Sequence, residues 1–207
     1  MISKTAFNSY LDKFIHFREG EFDEYLSPYI RTRKFHKKEI ITRAGEVEKY
    51  FNFILSGLVR KYYKKGRLEI NTQISVEGHI IHSQESFHSR TPSEYFVETI
   101  EPTVMVSISY DDLEKIYASS KRMERLGRLV ITSTMVLKDR WQSQMVMHTP
   151  RERFIKFVTQ QSDLMQRVPQ KHLASYLNIK PETFSRFKHL LRNHTKSVAV
   201  KQVIEIK

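Results

Sequence analysis

The chain has 207 residues, of which 40% are hydrophobic and 12% aromatic, and its formal net charge is +12. This length and composition predict a folded protein of one or two domains and argue against a disordered chain. The absence of cysteine excludes disulfides, thiolate-held iron–sulfur clusters and thiol redox switching, and it suits a reducing cytoplasm.

The N-terminal segment Met1–Phe7 is not followed by the apolar core of a signal peptide. No segment of the sequence reaches the roughly 18 apolar residues of a membrane-spanning helix. We therefore expect a cytoplasmic protein without a membrane partner.

The positive charge is concentrated near the C-terminus. Residues 148–207 contain 12 Lys or Arg and 4 Asp or Glu, so they carry +8 of the total charge of +12. A basic segment attracts polyanions, because each neutralised phosphate releases counterions. The distribution of charge favours nucleic acid as a partner.

The first 109 residues divide into a helical part and a β-rich part. An amphipathic pattern predicts helix up to about Leu26, where Ser27-Pro28 interrupts it. From about Thr32 to Ser109, short runs of β-branched and aromatic residues alternate with turn signals, which predicts an all-β barrel or sandwich. The predicted strands are Arg33–His36, Ile40–Thr42, Tyr50–Leu55, Leu58–Lys64, Glu69–Val76, Tyr95–Glu98 and Val104–Ser109.

Two helices are predicted next. Asp111 is expected to cap a short helix, Asp112–Ala118, and a long helix follows from about Ser120 to Met147. About 27 helical residues extend ~40 Å, more than a small domain needs. One apolar stripe of this helix is predicted to form the contact between two copies of the chain. The alternative is that the helix packs on the β-domain of its own chain. The stripe contains Leu126, Val130, Ser133, Leu137 and Trp141.

Thr149-Pro150-Arg151-Glu152 predicts a new helix, because it combines a capping box with proline at the first helical position. This signal also marks a domain boundary. The helix is expected to end near Leu164.

The stretch from Val168 to Phe187 predicts a helix-turn-helix. Its first helix has an apolar face and stops at Asn178, which tolerates the left-handed conformation of a helix end. Pro181 can open the second helix, with Phe184 and Phe187 on its buried side. The outward face is predicted to read DNA, although any corner between two helices needs a similar turn. This face consists of Glu182, Ser185, Arg186 and His189. Residues 197–200 and 203–206 alternate and could form a two-stranded wing.

The order of these elements resembles the cyclic-AMP receptor protein / fumarate-nitrate regulator (Crp/Fnr) superfamily. The resemblance covers essentially the whole chain and includes the glycine turns of Ile40–Glu46 and Phe53–Arg60, the segment Ile108–Leu113, and Val168–Leu191. It implies an α+β fold with an N-terminal cyclic-nucleotide-binding-like β-barrel (jelly roll), a long dimerisation helix and a C-terminal winged helix-turn-helix. The implied domains are 1–118, 119–148 and 149–207.

The resemblance also implies a transcription regulator that binds a near-palindromic DNA site as a homodimer. Glu182 and Arg186 match the family's base-reading Glu and Arg, which suit cytosine N4 and guanine O6 and N7. A further base-reading Arg of the family is replaced by Pro181, so the DNA sequence read should differ. Phosphate or positioning contacts are expected from Thr183, Lys188, Lys171 and Gln170. RNA polymerase is expected as a further partner.

The family's cyclic-AMP site is altered in this sequence. Members that bind cyclic AMP hold its phosphate with a Gly-Glu pair and a later Arg-Ser or Arg-Thr pair. Here Gly78 precedes His79, and the later pair aligns with Ser93-Glu94. A carboxylate in place of the cation repels a phosphate. We therefore expect neither cyclic AMP nor another cofactor, and an effector of the barrel stays unidentified.

Other interpretations remain. His79, His82 and His88 suggest a metal or haem sensor, but residues three apart on a strand point to opposite faces. A signalling module that binds an effector and no DNA is a further alternative. No nucleophile elbow, P-loop, dinucleotide fingerprint or pair of catalytic carboxylates is present, so we do not expect an enzyme.

Overall fold

The computed structural model of the protein describes residues 2–189. The chain divides into two compact units, Met1–Asp139 and Arg140–Lys207, and the boundary lies inside the longest helix. Within the described residues, no helix is both long and apolar enough to span a membrane.

Two short helices, not one continuous helix, precede the β-domain. Helix α1 spans Ile2–Leu11 and α2 spans Glu21–Tyr25, followed by a 3-10 helix at Ser27–Tyr29. The predicted helix up to Leu26 is wrong for residues 12–20, because Gly20 takes a left-handed conformation (φ 77°) and redirects the chain. Phe7 of α1 packs against Phe53 of the β-domain, with 5.1 Å between ring centroids.

Seven strands follow, and each overlaps a predicted strand with bounds that differ by at most two residues. They are β1 Arg31–Phe35, β2 Ile40–Thr42, β3 Tyr50–Ser56, β4 Val59–Lys65, β5 Leu68–Ser75, β6 Phe96–Thr99 and β7 Thr103–Ser109. The strand predictions are confirmed. Helix α3, Gln84–Ser89, lies between β5 and β6 and was not predicted.

The strands form two open antiparallel sheets, with orders β1-β7-β3 and β2-β6-β4-β5. The predicted jelly roll is a double-sheet fold and fits this arrangement, so the domain is a sandwich and not a closed barrel. The chain changes sheet between β1, which pairs with β7, and β2, which pairs with β6. Lys38 takes a positive φ of 62° in this connection, and the turn there separates the two strands instead of letting them pair.

Helix α4 spans Tyr110–Ser119, and α5 spans Lys121–Met147. The predicted cap at Asp111 is wrong: the Ser109 hydroxyl accepts the Asp112 N–H at 3.2 Å, so the helix begins two residues earlier than predicted. Helix α5 matches the prediction to within one residue. Its first half packs into the core that α1, α4 and the three-stranded sheet share.

Four short helices follow α5 in the part of the second unit that the structure describes. They are α6 Pro150–Gln160, α7 Leu164–Arg167, α8 Gln170–Tyr176 and α9, residues 181–189. The predicted capping box is confirmed, since Thr149 and Glu152 exchange both of its hydrogen bonds. The predicted wing lies outside the described residues.

Candidate functional site

The turn between α8 and α9 is closed by the helix-end geometry that the sequence predicts. Asn178 has a φ of 52°. The Ile179 N–H donates to the Ala174 carbonyl at 2.9 Å, and the Asn178 N–H donates to the Ser175 carbonyl at 3.0 Å. This pair of bonds defines a Schellman motif with Asn178 at its left-handed position. The predicted stop at Asn178 is confirmed.

The buried side of α9 determines which side chains point away from the unit. Pro181 is the first helical residue, and the Lys180 carbonyl accepts the Phe184 N–H at 3.0 Å. Phe184 is only 1% exposed, and its ring meets Phe154 edge-on at 5.0 Å. Phe187 contacts the same ring at 5.5 Å. Because these two aromatic side chains hold α9 from one side, the opposite side faces solvent.

The residues predicted to read DNA lie on that solvent side or at its margin. The exposed ones in α9 are Glu182, Ser185, Arg186 and His189, and Thr183 and Lys188 are half-buried. Gln170 and Lys171 are exposed in the first turn of α8. Glu182 and Arg186, four residues apart, share one face of α9. This exposure is what a DNA-reading face requires, and the individual roles stay predictions.

Arg153 is a structural residue of this unit that the sequence analysis missed. Its buried guanidinium donates to the carbonyls of Leu177 (2.9 Å) and Asn178 (3.1 Å) in the turn before α9. It also donates to the carbonyls of His148 (2.7 Å) and Met145 (3.1 Å) at the end of α5. Helix ends and turns leave such carbonyls without partners in the backbone. A single side chain thus ties the α8–α9 turn to the end of α5.

The α5 residues predicted to form the dimer contact differ in how far they are buried. Leu126 and Val130 are buried in the chain's own core, which makes them poor candidates for contact with a second copy. Ser133 is half-buried, and Trp141 stacks on Tyr176 at 4.1 Å. Leu137 is 57% exposed. Further exposed apolar side chains on α5, which the stripe did not include, are Met135, Val136, Val146 and Met147.

Two neighbouring cations of β4 have opposite environments. Arg60 lies on one face of the sheet and pairs with Glu69 at 2.8 Å and Glu98 at 2.9 Å. Lys61 lies on the other face and is only 5% exposed. Its partners in register are Gln73 of β5 and Val97 of β6, and Val97 belongs to the apolar core between the sheets. Lys61 therefore points into the sandwich, and burial lowers the pKa of its ammonium group to about 8.

His82 and His88 lie together, whereas His79 is exposed in the turn after β5. The rings of His82 and His88 are 5.9 Å apart, and His82 also contacts Phe51 and Phe87. His82 is buried, and neither of its ring nitrogens has a hydrogen-bond partner in the described part of the chain. Burial first, and then Lys61, His88 and Lys138, hold the pKa of His82 well below its usual value. The described residues contain no group of three or more potential metal ligands.

The positions aligned with the family's phosphate-binding pairs have other roles in the structure. Gly78 forms a turn, in which its N–H donates to the Ile54 carbonyl at 2.9 Å. The buried Ser93 hydroxyl donates to Ser83 at 2.7 Å, and Glu94 is exposed. The expectation that cyclic AMP is not the ligand stays a prediction.

One comparison with known proteins concerns the β-domain. Residues 32–120 match the family model for the cyclic nucleotide-binding domain. The match includes all seven strands except the first residue of β1, and it ends at the start of α5. A comparison with curated protein sequences gives no match.

Solved structures extend the likeness beyond the cyclic nucleotide-binding domain. FixK2 from Bradyrhizobium japonicum is 18% identical, with a TM-score of 0.67 over 80% of this chain and 86% of that one. The global regulator CLP of Xanthomonas campestris is 17% identical, with a TM-score of 0.64 over 84% and 91%. A Crp/Fnr-family regulator from Eubacterium rectale is 14% identical, with a TM-score of 0.65 over 83% and 82%. The predicted resemblance to the Crp/Fnr superfamily is confirmed at the level of the fold.

Proposed function

We propose that the protein is a homodimeric, sequence-specific DNA-binding regulator of transcription that works in the cytoplasm and carries no catalytic activity. The observation that carries the proposal is the exposed face of α9, where Glu182 and Arg186 stand side by side above an apolar anchor. In this proposal α8 and α9 form a helix-turn-helix. The +8 charge of residues 148–207 supplies the attraction to phosphates.

Base recognition is assigned to two side chains. Arg186 carries a planar group that can donate two hydrogen bonds to O6 and N7 of guanine, and the Glu182 carboxylate can accept from N4 of cytosine. Gln170, Lys171, Thr183 and Lys188 would hold the backbone of the duplex and position α9 in the major groove. Because Pro181 occupies the first position of α9, the residue immediately before Glu182 has no side-chain donor.

Dimerisation is assigned to the second half of α5. Leu137 and Met135 are more than half exposed, and such apolar side chains on a long helix are covered economically by a second copy. Two copies of α9 would then read half-sites about one DNA turn apart, ~34 Å. Contact with RNA polymerase would follow once the dimer is bound.

A selection of genomic DNA fragments by the purified protein tests this proposal directly. We expect the bound fragments to share two related half-sites about ten base pairs apart, centre to centre. Binding to the selected duplex should weaken steeply with salt, because several phosphates are neutralised. Arg186→Ala should lose about 10- to 100-fold in affinity for that duplex and little for a scrambled one.

Arg67→Ala is the matched control, since Arg67 is exposed in the hairpin between β4 and β5. It should bind the selected duplex as the wild type does. If Glu182→Ala and Arg186→Ala both discriminate between the two duplexes as well as the wild type, the assignment of base recognition is wrong. If no duplex is bound at any salt concentration, the protein is an effector-binding module without DNA binding.

A further inference from the structure

The first unit contains an open cavity between α1 and β3, and we call it the α1–β3 cavity. Its volume is about 310 Å³, which lies at the small end of the range for ligand pockets. One wall consists of Ala6, Ser9 and Tyr10 of α1 and of Lys13, which follows that helix. Ser9 and Tyr10 follow Ala6 by three and four residues, so the three lie on one face of α1. The helix therefore presents a continuous face to the cavity.

The opposite wall consists of β3 and the turn after β5. The Gly78 N–H of this turn donates to the Ile54 carbonyl of β3 at 2.9 Å. The Glu77 carboxylate accepts the Gly57 N–H, just beyond the end of β3, at 2.8 Å. On the other side, Phe7 holds α1 in place, since it is 2% exposed within the core of the first unit. Contacts within the chain thus fix both walls, as in the preformed pockets that bind small molecules.

The interior of the α1–β3 cavity is largely apolar and aromatic. Tyr10 contacts Phe53 with 4.8 Å between ring centroids. Leu55 of β3 adds an aliphatic side chain to the lining. A further ring can pack on such an aromatic pair in an edge-to-face or offset arrangement. These walls favour a ligand with an aromatic body over a sugar or another strongly polar molecule.

Two hydrogen-bond donors of the cavity have no acceptor in the described part of the chain. Lys13 is exposed, and its ammonium group lies over the Tyr10 ring at 5.6 Å without an ion pair there. The Tyr10 hydroxyl makes no hydrogen bond to a described residue either. Burial raises the pKa of Tyr10 to about 12, so the hydroxyl keeps its proton at neutral pH. An ammonium group and a neutral phenol can both donate to one carboxylate.

Glu77 limits the charge of the ligand. Its carboxylate borders the cavity and is held by the Gly57 N–H, so it is a fixed negative charge that disfavours a second anionic group. We propose that the α1–β3 cavity binds a small aromatic monocarboxylate. The ring of this ligand packs on Tyr10 and Phe53, and its carboxylate accepts from the Lys13 ammonium group and the Tyr10 hydroxyl.

This site goes beyond the proposed function and does not depend on it, because every residue that lines the cavity belongs to the first unit. It also differs from the positions aligned with the family's phosphate-binding pairs. Of these, Gly78 borders the cavity and brings no side chain to it, whereas His79, Ser93 and Glu94 are not part of its lining.

Thermal unfolding of the full chain without DNA tests the site. Benzoate and indole-3-acetate are titrated against chloride at equal ionic strength. We expect either probe to raise the wild-type melting temperature by about 3–5 °C at ten times its dissociation constant, because a ligand that binds only the folded state stabilises it. Hexanoate, which lacks the ring, and 2-phenylethylamine, which has the opposite charge, should have much smaller effects.

The substitution Lys13→Met keeps the length of the side chain and removes its charge, so the response to both probes should fall sharply. Lys37→Met is the matched control, because Lys37 is an exposed lysine of the turn between β1 and β2 and should leave the response intact. Neither variant changes a buried residue, so both should melt as the wild type does without a probe.

A second variant tests the space itself. Ala6→Phe places a ring in the cavity from an exposed position of α1, so it should remove the response without disturbing the core. Ala118→Phe, at an exposed position of α4, is its matched control and should respond as the wild type does.

The proposal is overturned if the wild type responds to neither aromatic acid, or if Lys13→Met and Ala6→Phe respond as the wild type does. An equal response to hexanoate or to 2-phenylethylamine overturns the assigned chemistry. A melting temperature that rises with protein concentration without a probe, and does so less in Ala6→Phe, would give the cavity to a second copy of the chain instead. None of these results bears on the duplex selection, which tests DNA binding separately.

Discussion

Both compact units of the protein bury long cationic side chains, and two of these, Arg153 and Lys61, have opposite environments. In the second unit, the buried Arg153 guanidinium donates to four backbone carbonyls. In the first unit, the Lys61 ammonium group has neither a carboxylate nor a carbonyl within hydrogen-bonding distance among the described residues. The same type of charge is thus hydrogen-bonded in the second unit, whereas in the first unit the Lys61 ammonium group lies over an aromatic ring.

The two buried cations have opposite effects on folding. Arg153 closes gaps in the backbone hydrogen bonding, and so it supports the turn that carries α9. Lys61 contributes nothing comparable to the sandwich, and its burial opposes folding. The cation proposed to read bases, Arg186, is instead exposed on the surface of the second unit.

The largest expected effect concerns the loss in free energy of unfolding that burial of the Lys61 ammonium group causes. Its folded-state pKa of about 8 lies below the ordinary 10.5, so the unfolded chain binds more protons between these values and wild-type stability should rise with pH there. Below pH 8, Lys61→Met should be more stable than the wild type by about 3 kcal/mol. The gap should close towards pH 10.5.

Chemical denaturation of both proteins from pH 7 to 10.5 measures this gap. The groups that face Lys61 are Lys138, Glu48, His82 and Tyr95, and all of them are present in both proteins, so their own titration largely cancels. Lys65→Met should match the wild type at every pH. A pH-independent gap would mean that the Lys61 ammonium group is not destabilised by burial.

The opposite sign is expected for Arg153→Met. Removing the guanidinium leaves the carbonyls of Leu177 and Asn178 and those at the end of α5 without their donor, at a cost of about 2–3 kcal/mol. Urea denaturation measures the loss. Arg151→Met is the control, since Arg151 is exposed on the same helix. Equal stability of the two variants would contradict a structural role of Arg153.

A smaller loss of stability is expected when Gly127 of α5, which lies against Tyr117 of α4, is substituted. A Cβ atom on Gly127 would lie 2.1 Å from the Tyr117 ring, so Gly127→Ala should destabilise the first unit by about 2 kcal/mol despite its better helix propensity. Thermal unfolding checks this. Combining it with Tyr117→Leu should recover part of the loss, and an unchanged loss in the double variant would show that the ring is not the obstacle.

The smallest effect is expected at the start of α6. Thr149→Ala removes the hydroxyl that accepts the Glu152 N–H, and the loss of such a cap costs about 1 kcal/mol. Thr159→Ala is the control in the same helix, because its hydroxyl bonds only to the preceding turn. The urea midpoint should fall for Thr149→Ala and not for Thr159→Ala. Equal midpoints of the two variants would show that the capping box does not stabilise the protein.

Local signals predicted most of the elements. Turn residues and alternating hydrophobicity located all seven strands, and the capping box at Thr149 and the helix stop at Asn178 were found from neighbouring residues alone. The errors have local causes too. Ser109 caps α4 in place of Asp111, and Gly20 breaks the predicted N-terminal helix.

The candidate sites were predicted unevenly. The exposed face of α9 follows from helical periodicity, because Phe184 and Phe187 mark the buried side and the opposite positions face outward. Arg153 and Lys61 were missed, since no periodic pattern distinguishes a buried cation from an exposed one. The stripe on α5 was located as a face, yet Leu126 and Val130 are covered by the chain itself.

The sequence by itself determined the order of the elements, their caps and turns, and the outward face of α9, because these depend on residues within a few positions of one another. Tertiary structure alone decided that the sheets stay open, that Leu126 and Val130 of the α5 stripe are covered by the chain itself, and that Lys61 is buried. These outcomes depend on which surfaces cover each other across long sequence separations. Local periodicity identifies a face, and only packing supplies its partner.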